Sequence, residues 1–110
     1  MPVFLNIVKH TPETCPVTHE GPRKIALELV EKTEALTKKH GVKVLGVWSV
    51  HNEQQECMHE TYSLYDTPSL EAYEKLSLEP EFVAWYNIHA VENKVVLDVP
   101  DTIKLLTQAK

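Results

Sequence analysis

The sequence predicts one α+β domain of ferredoxin-like type: a four-stranded antiparallel sheet with helices on one face. Three observations predict it. The chain of 110 residues fits one domain and shows no linker, repeat or low-complexity tract, so residues 1–110 read as a single unit. Four β-rich runs alternate with two helical-period segments in the order β-α-β-β-α-β. Proline, glycine and polar turns punctuate the joins.

Residues 3 to 10 form the first β-rich run, closed by Thr11-Pro12, and Pro12, Pro16, Gly21 and Pro22 mark a loop. A helix is expected from about Pro22 to His40. Ile25, Leu29 and Leu36 form its apolar stripe, Glu28/Lys32 and Glu34/Lys38 are favourable i,i+4 pairs, and Gly41 is a natural C-cap. Val42–His51 reads as the second strand, 52–56 as a turn and Met58–Asp66 as the third strand. Thr67 and Pro68 are the expected N-cap and first position of a second helix, which Pro80 interrupts. Its second piece runs from about Glu81 to His89. Lys94–Val99 is the expected last strand, before a short amphipathic tail carrying Ile103, Leu105 and Leu106.

This order gives a spatial strand order of 4-1-3-2. Right-handed crossovers make strands 1 and 2 parallel, with strand 3 antiparallel between them. The C-terminal ends of strands 1 and 2 then share one sheet edge with the start of strand 3. His10, His51 and His59 occupy those positions, and a hairpin centred on Gln55 sets His51 opposite His59. The adjoining loops carry Cys15, His19 and Cys57, and the end of the second helix returns His89 to the same edge. Alternation along the strands sorts Val3, Leu5, Ile7, Trp48, Val50 and Leu64 onto one face, expected to carry the helices. Asn6, His10, Ser49, Thr61 and Ser63 fall on a more polar face, expected to line a pocket.

Imidazole and thiolate are the usual donors for Zn²⁺ and also suit Fe and Cu. The expected divalent-metal site therefore has His10 and His59 as core ligands, then Cys15 and His51, with His19, Cys57 and His89 in weaker roles. The spacing matches no zinc-finger pattern. Surface histidines, or a Cys15–Cys57 disulfide, account for the same residues. Glu56 and Glu60 flank the histidines; most such glutamates are solvated, and Glu60 is the carboxylate candidate for acid–base work beside a His10/His59 pair. Trp48, Trp85 and Tyr73 read as packing residues.

The net charge of −5 argues against a nucleic-acid partner. No apolar run approaches the roughly 20 residues that span a bilayer. The start Met1-Pro2-Val3-Phe4 reads as strand and not as signal peptide, so a cytoplasmic, membrane-free protein is the expectation.

The stretch His10-Thr11-Pro12-Glu13-Thr14-Cys15-Pro16 resembles a His-x-Pro-x-x-Cys-Pro motif that follows strand 1 in a group of small uncharacterised proteins. In that group a histidine opens strand 3 and a Thr-Pro-Ser-Leu-Glu-Ala helix start follows, here His59 and residues 67–72. The Trp85-Tyr86-Asn87 segment is similar to the group's Trp-Asn near the last strand. More broadly, the chain resembles the dimeric α+β barrel superfamily, which includes muconolactone isomerases, cofactor-independent monooxygenases, chlorite dismutase-like haem proteins and stress-responsive proteins. The resemblance implies a homodimer (or a higher oligomer), with its sheets packed face to face and a small-molecule pocket in each half. Fold membership does not transfer function. Three readings follow: a metal-binding protein or metalloenzyme; a metal-free isomerase or monooxygenase using a histidine pair; and a non-enzymatic, stress-related binding module.

Overall fold

The computed structural model describes residues 2–51 and 58–108. Its four strands are β1 (Val3–Lys9), β2 (Lys43–His51), β3 (Met58–Asp66) and β4 (Ala90–Val96). They form one antiparallel sheet of order β2-β3-β1-β4, the expected arrangement. The helices are α1 (Glu20–Lys39), α2 (Leu70–Ser77), α3 (Pro80–Asn87) and α4 (Val99–Gln108), and a 3-10 turn covers Pro12–Thr14.

Helix α1 begins two residues before Pro22. Arg23 anchors the preceding loop, donating from Nε to Pro16 O (3.0 Å) and from Nη2 to Val17 O (2.8 Å). Lys38 and Lys39 sit in its last turn, where the helix dipole favours cations. Gly41 follows at φ 69°, a left-handed conformation that side chains disfavour. The cap of α2 differs from expectation. Ser69 Oγ accepts from Ala72 N (3.1 Å), so Ser69 takes the N-cap role expected of Thr67. Thr67 is instead fully buried. Its N–H donates to Pro2 O (2.9 Å) and its hydroxyl to Ser69 O (2.8 Å), tying α2 to the sheet. Pro80 opens α3, where a missing N–H costs nothing.

Strand β4 begins at Ala90, four residues before the expected Lys94, because its ladder with β1 already pairs Lys9 with Ala90. The strand ends at Val96, and Val99, expected to close it, opens α4. That helix leaves Val99, Ile103, Leu105 and Leu106 exposed.

The main correction concerns which face carries the helices. Phe4, Val42, Tyr65, Tyr73, Leu76 and Phe82 form the core, with Leu29, Leu36, Val44 and Tyr86 packed against them. The helices thus cover the face holding Phe4, Asn6, Val8, Thr61, Ser63 and Tyr65, the one expected to line a pocket, and not the face of Leu5, Ile7 and Leu64. Large aromatics make this possible: Phe4 stacks on Tyr73 at 4.6 Å. The buried Asn6 amide finds a partner on β4. Asn6 Nδ2 donates to Asn93 Oδ1 (2.9 Å), and the same oxygen accepts from Tyr73 Oη.

A bulge between Val44 and Gly46 contributes to the reversal. It keeps Val44 and Val47 on the helix side and turns Leu45 and Trp48 to the other. On that open face the Trp48 ring lies over Gly46, where a Cβ would overlap it. Leu45, Trp48 and Val50 are 45%, 54% and 42% exposed, high values for large side chains on a central sheet. No helix among the described residues is long and apolar enough to cross a membrane.

Candidate functional site

A cavity of about 830 Å³ lies between the sheet, α1 and α3. Its floor is the sheet, which contributes Asn6, Ser49, Thr61 and Ser63. Its walls are largely apolar, with Leu29 and Val30 from α1 and Phe82 and Trp85 from α3. Such a hollow, apolar with a few placed polar groups, is the usual form of a small-molecule site. Asn6 and Ser63 are 2% and 6% exposed within the chain, so this part of the floor is screened from bulk water, whereas Ser49 is exposed.

One end of this floor meets the predicted histidine edge. β1 delivers His10 and α3 delivers His89, and the two rings meet. His10 Nδ1 lies 2.9 Å from His89 Nε2, and His10 Nε2 lies 2.9 Å from Thr61 Oγ1. His89 Nδ1 is 2.7 Å from Trp85 O. Trp85 meets both rings, at 5.2 Å from His10 and 4.3 Å from His89.

The backbone fixes the direction of these bonds. Trp85 O only accepts, so His89 carries its proton on Nδ1. Neutral His89 therefore accepts at Nε2, and His10 must donate from Nδ1. His10 Nε2 is left as an acceptor, and the Thr61 hydroxyl donates to it. The chain runs Thr61 → His10 → His89 → Trp85 O.

The surroundings keep it neutral. Burial, then the neighbouring His89, bring the His10 pKa down to about 4, against a smaller upward pull from Glu60. Burial also lowers that of His89, opposed by carbonyls of Trp85 and Thr14. Both imidazoles are uncharged at neutral pH. Burial likewise raises the pKa of Tyr86, which lines the cavity wall.

The other predicted residues fall elsewhere. Cys15 is fully buried. Cys57 lies outside the described residues. His51 pairs with Met58 across the ladder and not with His59, because the register shifts between Val50 and His51. His51 Nε2 contacts Ser49 Oγ at 3.0 Å, on an exposed surface. His59 contributes its backbone, its carbonyl accepting from His10 N (2.8 Å), while its side chain is exposed. His19 is exposed at the start of α1, beside the Thr18 hydroxyl. Glu60 accepts from Tyr62 Oη, and its ladder position opposite Lys9 places it on the open face, away from the cavity. Among the described residues, no three of His, Cys, Asp and Glu converge where they could hold a metal ion.

Thr61 was the functional residue hardest to see in sequence. Its signal was the alternation that puts it on one strand face with His59 and Ser63. In the structure His10 reaches it diagonally from β1.

No family model matches the chain, and no curated protein matches it. Solved structures do. An uncharacterised NIPSNAP domain protein from Burkholderia xenovorans superposes with a TM-score of 0.56 at 11% identity, covering 90% of this chain and 95% of that one. A protein from Agrobacterium tumefaciens gives 0.57 at 14% identity, covering 90% and 94%. SnoaB, a cofactor-independent oxygenase from Streptomyces nogalater, gives 0.48 at 9% identity, covering 89% and 92%. These likenesses concern fold alone: the chain has the ferredoxin-like α+β architecture of the first two.

Proposed function

We propose that the chain binds a small organic molecule in the cavity between sheet, α1 and α3, and acts on it by metal-free proton transfer, as an isomerase or oxygenase would. The carrying observation is the directed chain Thr61 → His10 → His89 → Trp85 O, which ends on the cavity floor. Thr61 contacts the ligand and relays protons, His10 is the acceptor behind it, and His89 positions His10. A pKa near 4 makes His10 a weak base at neutral pH, unsuited to balancing an anionic ligand.

The test is a ligand-observed NMR screen of neutral aromatic and alicyclic fragments with a chelator present. It compares the native protein with Ala26→Phe, which fills the cavity from α1. Hits lost in A26F support the reading. The absence of hits, or hits that persist in A26F, would overturn it.

A divalent-metal site (Zn, Fe or Cu) is the competing reading. It is favoured by the two imidazole nitrogens that meet at 2.9 Å. It needs a further donor, and among the described residues none converges on the pair. Stoichiometric metal in the purified protein, lost in His10→Ala, would bring it forward.

We also assign the open sheet face to a second copy of the chain. Exposed Leu45, Trp48 and Val50 supply an apolar contact there.

A further inference from the structure

We infer that the cavity selects ligands offering a hydrogen-bond donor (a hydroxyl, enol or amide N–H) at Thr61, and disfavours those offering only acceptors there. The inference rests on the proposed small-molecule reading and specifies its ligand class. It begins from a backbone atom. Trp85 O cannot donate, so each proton in the chain behind it is assigned in turn, ending with the Thr61 proton on His10 Nε2. Threonine has one hydroxyl proton. With that proton committed at 2.9 Å to His10, only oxygen lone pairs remain to face the cavity.

An acceptor-only ligand atom at this point would meet lone pairs with lone pairs. It would bind only if the Thr61 hydroxyl rotated and left His10 Nε2 unpaired in a half-buried site, a costly exchange. A donor completes the chain with no rearrangement. The neutrality of both imidazoles preserves this direction at neutral pH, because a protonated His10 would donate from Nε2 and turn the Thr61 proton toward the cavity.

The experiment is calorimetric titration at pH 7.5 with 1-naphthol and with 1-methoxynaphthalene, near-equal in shape and differing in the donor. The proteins are native, Thr61→Val, Thr61→Ser and His89→Leu, each first shown to be folded by circular dichroism. The expected result is at least tenfold tighter binding of naphthol by native protein, retained in T61S. In T61V naphthol falls to the level of the methyl ether. H89L narrows the gap, because His10 is then free to carry its proton on Nε2. Equal affinities in native protein, or a naphthol preference that survives in T61V, would overturn the inference and leave the cavity reading standing. Failure of both probes to bind the native protein would overturn both.

Discussion

The two faces of the sheet differ in the kind of polarity each carries. The helix-covered face holds Asn6, Ser63, Thr61 and Asn93 among its aromatics, whereas the open face presents Leu45, Trp48 and Val50 beside a charged patch. In that patch Lys9 Nζ meets Glu92 Oε1 at 2.8 Å, and Tyr62 bonds Glu60. The lesson is that a buried face is not required to be purely apolar. It must satisfy its polar atoms, and a cavity with a hydrogen-bonded floor does so. An apolar face left open is the signature of a surface that a further body covers.

Four perturbations sharpen this contrast, from the largest effect to the smallest. Leu76→Ala empties a site that is 1% exposed, and urea unfolding should show a loss of about 2–5 kcal/mol. Trp48→Asp, on the open face, should leave the fold intact and lower the dimer affinity by a factor of roughly 10 or more, about 1.4 kcal/mol. Light scattering across a dilution series checks this. A W48D chain that unfolds, or a native chain that is already monomeric, contradicts the assignment of that face.

The third concerns pH. The folded pKa of His10 lies at about 4, below its ordinary value of 6.5, so the unfolded state binds more protons in the interval. Stability from this group is complete above pH 6.5 and is lost as pH falls toward 4. The loss is on the order of 1–2 kcal/mol, discounted for solvent reaching the half-buried ring. His89 and His51 repel a proton on His10, and Glu60 opposes them in part. Urea unfolding at stepped pH should show this slope, flattened in His10→Gln. The smallest effect is expected where neither face is involved. The exposed Glu71–Lys75 pair of α2 (3.0 Å) should contribute a few tenths of a kcal/mol, tested by Lys75→Ala in the same unfolding assay.

Much of the fold was legible in the sequence because it rests on local signals. Apolar periodicity marks α1, Gly41 marks its end, and Pro80 marks the break between α2 and α3. Handedness rules then give the strand order. The same reasoning brought His10 and His89 to one edge, where the structure joins them. It failed where a one-residue shift decides the outcome. The bulge at Leu45 puts Val44 on the face opposite Trp48 and Val50, and the shift after Val50 separates His51 from His59. Gly46, an isolated glycine inside a strand, is the local mark of the first irregularity, whereas the shift after Val50 has no such mark. The choice of helix face was equally hidden, because Phe4 and Tyr65 on one side compete with Leu5 and Leu64 on the other. Thr61 was obscured by its type: a strand threonine is ordinary until a histidine from another strand points at it.

The most direct test of the account is the protonation pattern of His10 and His89, read by long-range ¹H–¹⁵N NMR of the imidazole rings at pH 7. Both rings should be neutral and protonated on Nδ1, with pyridine-like Nε2 resonances and no titration near pH 6.5. A His10 ring protonated on Nε2, or one that titrates near 6.5, would contradict the directed chain and the function built on it.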